Sequence, residues 1–137
     1  MNISEFSILT GVILSFALLI FHMKFYDLFG WKTEFEKMQL KNRNIFYTIH
    51  IALILFFVIF STISIVYYKE LAVCTGPAFG ITLLYSLFWL WRTIWQIFYF
   101  KYPEEIKSKP ALHYIVILIF SLLLISYAIP VILEIGT

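Results

Sequence analysis

Four stretches of this chain are almost purely apolar: 6–25, 45–68, 77–100 and 111–133. A helix needs about 20 apolar residues to cross the hydrocarbon of a bilayer, so each stretch is expected to be a transmembrane helix. In lipid every backbone donor and acceptor must be satisfied within the segment, which makes helices of isolated apolar runs. The few polar positions inside the stretches recur at helical spacing. Tyr85, Trp89, Arg92, Gln96 and Tyr99 form one such series, and Gly11, Ser15, His22 and Tyr26 another. Tyr47, His50, Ser61 and Ser64 form a third, and His113, Phe120 and Ser121 a fourth. Residues so spaced share one helix face, and polar faces of membrane helices turn toward neighbouring helices. The expected architecture is an all-α membrane protein, a single four-helix up-down-up-down bundle spanning residues 1–137.

Composition supports lipid as the solvent. Hydrophobic residues make up 62% of the chain and charged residues 13%, against a charged share of about 25% in soluble domains. A water-soluble chain of 137 residues could not hide so much apolar surface. The formal net charge of +2 gives no footing for nucleic acid. Cys74 is the one cysteine, which excludes an internal disulfide and a multi-cysteine metal site. It reads as a small apolar residue. The first stretch has no basic leader and no small-residue cleavage pattern, so it is expected to be retained. Thr75-Gly76-Pro77 reads as the start of the third helix, and Pro130 is expected to bend the end of the fourth.

The basic residues set the orientation. Lys24, Lys32, Lys37, Lys41 and Arg43 fall in or beside the first connection, and Lys101, Lys107 and Lys109 in the third. Lys69 stands alone in the second. Basic loops stay in the cytoplasm, so both termini are expected outside it. Asp27, Trp31 and the acids of the first connection are expected in solvent.

Arg92 has no charged companion between Leu71 and Phe100. It lies nine residues before Lys101, in the cytoplasmic half of its helix. His22 precedes Lys24 by two residues, and His113 follows Lys109 by four. His50 follows Arg43 by seven, about 10 Å into its span at ~1.5 Å per residue. All four helices thus bring an ionisable side chain to one depth. Arg92 could still snorkel to the headgroups, and single histidines could simply join helices by hydrogen bonds. Taken together, His22, His50, His113, Arg92, Gln96 and Tyr99 are the candidate ligand-binding residues. With no carboxylate at that depth, paired-carboxylate catalysis is excluded within the spans, and no nucleophile is assembled. Two histidines on different helices could ligate a b-type haem, with Arg92 on a propionate. Alternatively, His22, His50 and His113 could hold a zinc, copper or iron ion that acts on an anionic, lipid-like substrate. The remaining reading is a non-catalytic membrane subunit that grips an anionic headgroup or a partner. A quinone or another membrane subunit is the partner class for electron transfer; oligomeric state and substrate are not written in the chain.

The stretches FHMKFYDLFGW (21–31), NRNIFYTIH (42–50), WRTIWQIFYF (91–100) and LHY (112–114) resemble an uncharacterised family of small bacterial four-span membrane proteins. That resemblance implies a multi-pass protein of the bacterial inner membrane and draws attention to His22, His50, Arg92, Gln96 and His113. It implies no activity. The architecture is also similar, by analogy, to the haem-bearing membrane anchors of quinone-linked dehydrogenases.

Overall fold

The computed structural model describes residues 1–100 and 110–136, and every element among them is a helix. In chain order these are α1 (Ile3–Met23), α2 (Phe25–Leu28), α3 (Trp31–Lys37), α4 (Leu40–Val66), α5 (Tyr68–Val73), α6 (Gly76–Phe98) and α7 (Pro110–Ile135). The start of α1 is held by a reciprocal cap. The Asn2 side chain accepts from the Glu5 N–H at 2.8 Å, and the Asn2 N–H donates to the Glu5 carboxylate at 3.1 Å.

Three helices are long and apolar enough to cross a membrane: α1, α4 and residues 111–135 of α7, with mean hydropathies of 2.2, 2.7 and 2.8. Their outward faces stay apolar. Ile13, Ile51, Leu118 and Ile132 are each more than half exposed, a surface that water would not tolerate over such lengths. The chain is a helical membrane protein. At 23 residues α6 matches the others in length. Its three tryptophans, Tyr85, Arg92 and Gln96 make it less apolar, so its role as a span does not follow from length and composition.

α1 packs against α4 and α7, and α7 against α6. Between α4 and α6 the gap is bridged by rings: Phe60 lies 3.7 Å from Tyr85, near-parallel, and Phe56 lies 5.1 Å from Phe88. Trp89, Tyr127, Phe60 and Leu123 fill the centre. Buried hydroxyls are satisfied mainly along their own helices. Ser15, Thr82, Ser86 and Thr93 donate to carbonyls one turn back at 2.7–2.9 Å. Tyr127 instead donates across the core to Ser64, at 2.9 Å. Gly11 sets the α1–α7 crossing, since a Cβ there would lie 2.8 Å from the Tyr127 ring.

Thr75 caps α6 with extended backbone but without a side-chain bond, and Pro77 sits in the first turn. Gly76 takes φ +53, a conformation that favours glycine. α7 runs through Pro130 to Ile135. Cys74 is fully buried at the end of α5, as a small apolar residue would be.

The first connection departs from the expectation of a solvated loop. It folds into α2 and α3. Trp31 and Phe35, one turn apart, give α3 an apolar face. Phe35 is 5% exposed and meets Tyr47 edge-on at 4.9 Å, and Trp31 is half-buried rather than free in solvent. Asp27, Glu34 and Glu36 are exposed, as expected. Lys101, Lys107 and Lys109, which carry part of the orientation argument, lie outside the described residues.

Candidate functional site

α1 ends and α4 begins at the same end of the molecule, and this brings two histidines together. His22 lies in the last turn of α1 and His50 in the third turn of α4. Their ring centres are 6.1 Å apart with planes at 16°. Aromatic walls close the pair on both sides. Phe57, two turns beyond His50 on the same helix face, stands 4.9 Å from the His22 ring. Trp31 meets His50 edge-on at 5.0 Å. Below them Tyr47 donates to the Tyr26 hydroxyl at 3.4 Å.

The guanidinium of Arg92 sits 5.0 Å from the Phe120 ring and 5.5 Å from the Trp91 ring. Such cation–π contacts hold a partly desolvated guanidinium. Phe120 is buried on α7, so the stem of Arg92 turns across α6 toward the interior. Its charge lies within electrostatic range of His22. Among the described residues the ion pairs are the N-terminal amine with Glu5 and Lys37 with Glu34, and none includes Arg92.

The rest of the α6 stripe divides. Trp89 and Gln96, one turn to either side of Arg92, are buried, at 0% and 2% exposure. Tyr99 leaves the stripe because α6 stops at Phe98. It is the C-cap, 64% exposed and stacked on Trp95 at 5.0 Å. His113 is half-buried near the start of α7, with Tyr114 at 5.6 Å. Among the described residues no group of three histidine, cysteine or acidic side chains is placed to hold a metal ion.

No protein-family model, curated protein or solved structure matches the chain. Its chemistry has to be taken from these residues. Imidazoles can ligate metals and a guanidinium can pair with acids. Two contributors escaped the sequence reading, Trp31 and Phe57. Phe57 was legible in principle, seven residues from His50. Trp31 was not, since its position depends on how α3 folds back.

Proposed function

We propose that this is a four-span protein of the bacterial inner membrane, with α6 as the fourth span and helices that alternate in direction. Both termini lie outside the cytoplasm, and the protein is of the small bacterial kind that its sequence resembles. Its cytoplasmic-side end carries a site for a ligand with an acidic group, and the ligand that suits the donor set best is a b-type haem. The apposition of His22 and His50 carries this reading. With ring centres 6.1 Å apart, both imidazoles are close enough to serve one bound group. Aromatic walls at Phe57 and Trp31 suit a porphyrin edge, and Arg92 suits a propionate. Bound haem would supply one-electron transfer, with a quinone or a neighbouring membrane subunit as partner.

The three-histidine ion reading, with zinc, copper or iron, gains less support, because no group of three such ligands is found among the described residues. An absorption spectrum and elemental analysis of the purified protein test the proposal. A Soret band with matching iron supports haem. A stoichiometric metal without the band turns the reading to an ion site, and neither leaves a non-catalytic subunit.

Arg92→Gln is expected to fold and to bind the acidic ligand about tenfold to a hundredfold more weakly, the worth of a charge-assisted bond of about 1.5–3 kcal/mol. Unchanged haem retention on dilution would remove Arg92 from the site. For orientation, a reporter fused after Thr137 is expected to be active only outside the cytoplasm. Activity confined to the cytoplasm would reverse the topology.

A further inference from the structure

The end of the bundle opposite the histidines holds a second feature, independent of the His/Arg site. There α4 ends, α5 turns across, and α6 begins. Together they frame a half-open groove with a cavity volume of about 590 Å³, within the range of about 300–1,000 Å³ common for ligand pockets. Its wall is apolar, with Ile63 from α4 and Ala78 and Ile81 from α6. Its rim is polar, with Tyr67, Lys69 and Glu70. Lys69 and Glu70 are both exposed, and neither belongs to an ion pair among the described residues. The Lys69 amine stands 5.9 Å from the Tyr68 ring.

We infer that this groove is a binding site for one zwitterionic phospholipid with a phosphoethanolamine headgroup. The assignment rests on charge complementarity above an apolar slot. A lone lysine on such a rim would select an anionic lipid by its charge. A glutamate beside it repels a second negative group and offers an acceptor to a positive one. The pair is therefore complementary to a headgroup that carries a phosphate and a primary ammonium side by side: Lys69 takes the phosphate, and Glu70 accepts from the ammonium. One acyl chain then runs along Ile63, Ala78 and Ile81, between α4 and α6. α4 and α6 are not in close backbone contact, and the stacked Phe60 and Tyr85 rings close the slot one turn further in.

The test uses the full-length protein in vesicles of equal parts phosphatidylethanolamine and phosphatidylglycerol, extracted gently, with retained lipids counted by native mass spectrometry. The wild type is expected to retain phosphatidylethanolamine over phosphatidylglycerol by at least about fivefold, the equivalent of one interfacial charge contact. Glu70→Gln is expected to abolish the preference, and Lys69→Ala to lower retention of both lipids. Ala78→Phe, which fills the slot, is expected to remove the bound lipid. Both rim residues are exposed, so their variants keep the fold. Equal retention of the two lipids, a preference for phosphatidylglycerol, or indifference to Glu70→Gln would overturn the assignment. Haem content in the same samples separates a failure here from a failure at the histidine site.

Discussion

Replacing Gly11 with leucine is expected to remove most of the folded protein. A Cβ at this position would lie 2.8 Å and 3.0 Å from two carbons of the Tyr127 ring and 3.2 Å from the Ser126 Cβ. The ring has nowhere to go. It is fully buried, its hydroxyl is bonded to Ser64 at 2.9 Å, and Phe60 and Tyr85 meet it edge-on at 5.2 Å and 5.3 Å. A leucine must therefore push α1 away from α7, and small residues at helix crossings in lipid exist to permit that approach. Overpacking of this kind costs about 3 kcal/mol at its upper range. Gly11→Ala, with one carbon to place, is expected to cost about 1 kcal/mol. Gly80→Ala is the control: nothing lies within 4 Å of its would-be Cβ, so it is expected to keep or slightly raise stability through better helix propensity. Thermal unfolding in detergent, followed by size-exclusion profile, measures all three. A Gly11→Leu protein that melts with the wild type would mean that α1 and α7 do not cross as described.

Gly11 illustrates how far the sequence carries. The apolar runs were plain because a bilayer imposes length and composition together, and α1, α4 and α7 follow them closely. Gly11 could be placed on a polar stripe, but nothing in the chain says that Tyr127 lies opposite, since partner choice depends on how two helix surfaces mesh. The site was legible as a depth: His22, His50 and Arg92 could be aligned by counting from the basic connections. His22 and His50 come together because the end of α1 and the start of α4 lie side by side. Tyr99 kept the spacing of the stripe yet lies exposed, because periodicity cannot locate a helix end. Trp31 was read as solvated, because a short connection rich in Lys and Glu hides the Trp31–Phe35 face that folds back on the bundle. α5 was hidden for a related reason. Six residues are too few for a period to declare itself, although Leu71 and Ala72 are buried.

His50→Ala is expected to empty the site while the protein stays folded. The imidazole is only partly buried, and α4 is anchored elsewhere by Phe57 and Phe60, at 4% and 1% exposure. Alanine is also a strong helix former, so the helix itself loses nothing. What goes is one of the two neighbouring imidazoles, together with the edge contact to Trp31 at 5.0 Å. His22 alone would then have to hold the haem, so retention through purification is expected to fall by about a hundredfold or more. His22→Ala is expected to do the same. Helix content by circular dichroism, taken on the same sample as iron per chain, separates loss of ligand from loss of fold. An iron content that does not change with either substitution would mean that these histidines serve packing alone.

The proposal stands or falls on His22 and His50, without His113, as the ligand pair of one membrane-embedded site. The reduced-minus-oxidised absorption spectrum tests it most directly, recorded in parallel on the wild type, His50→Ala and His113→Ala. The expected result is a haem difference band in the wild type that persists in His113→Ala and is missing from His50→Ala. A wild-type protein without the band, or a band lost equally in both variants, would contradict the claim.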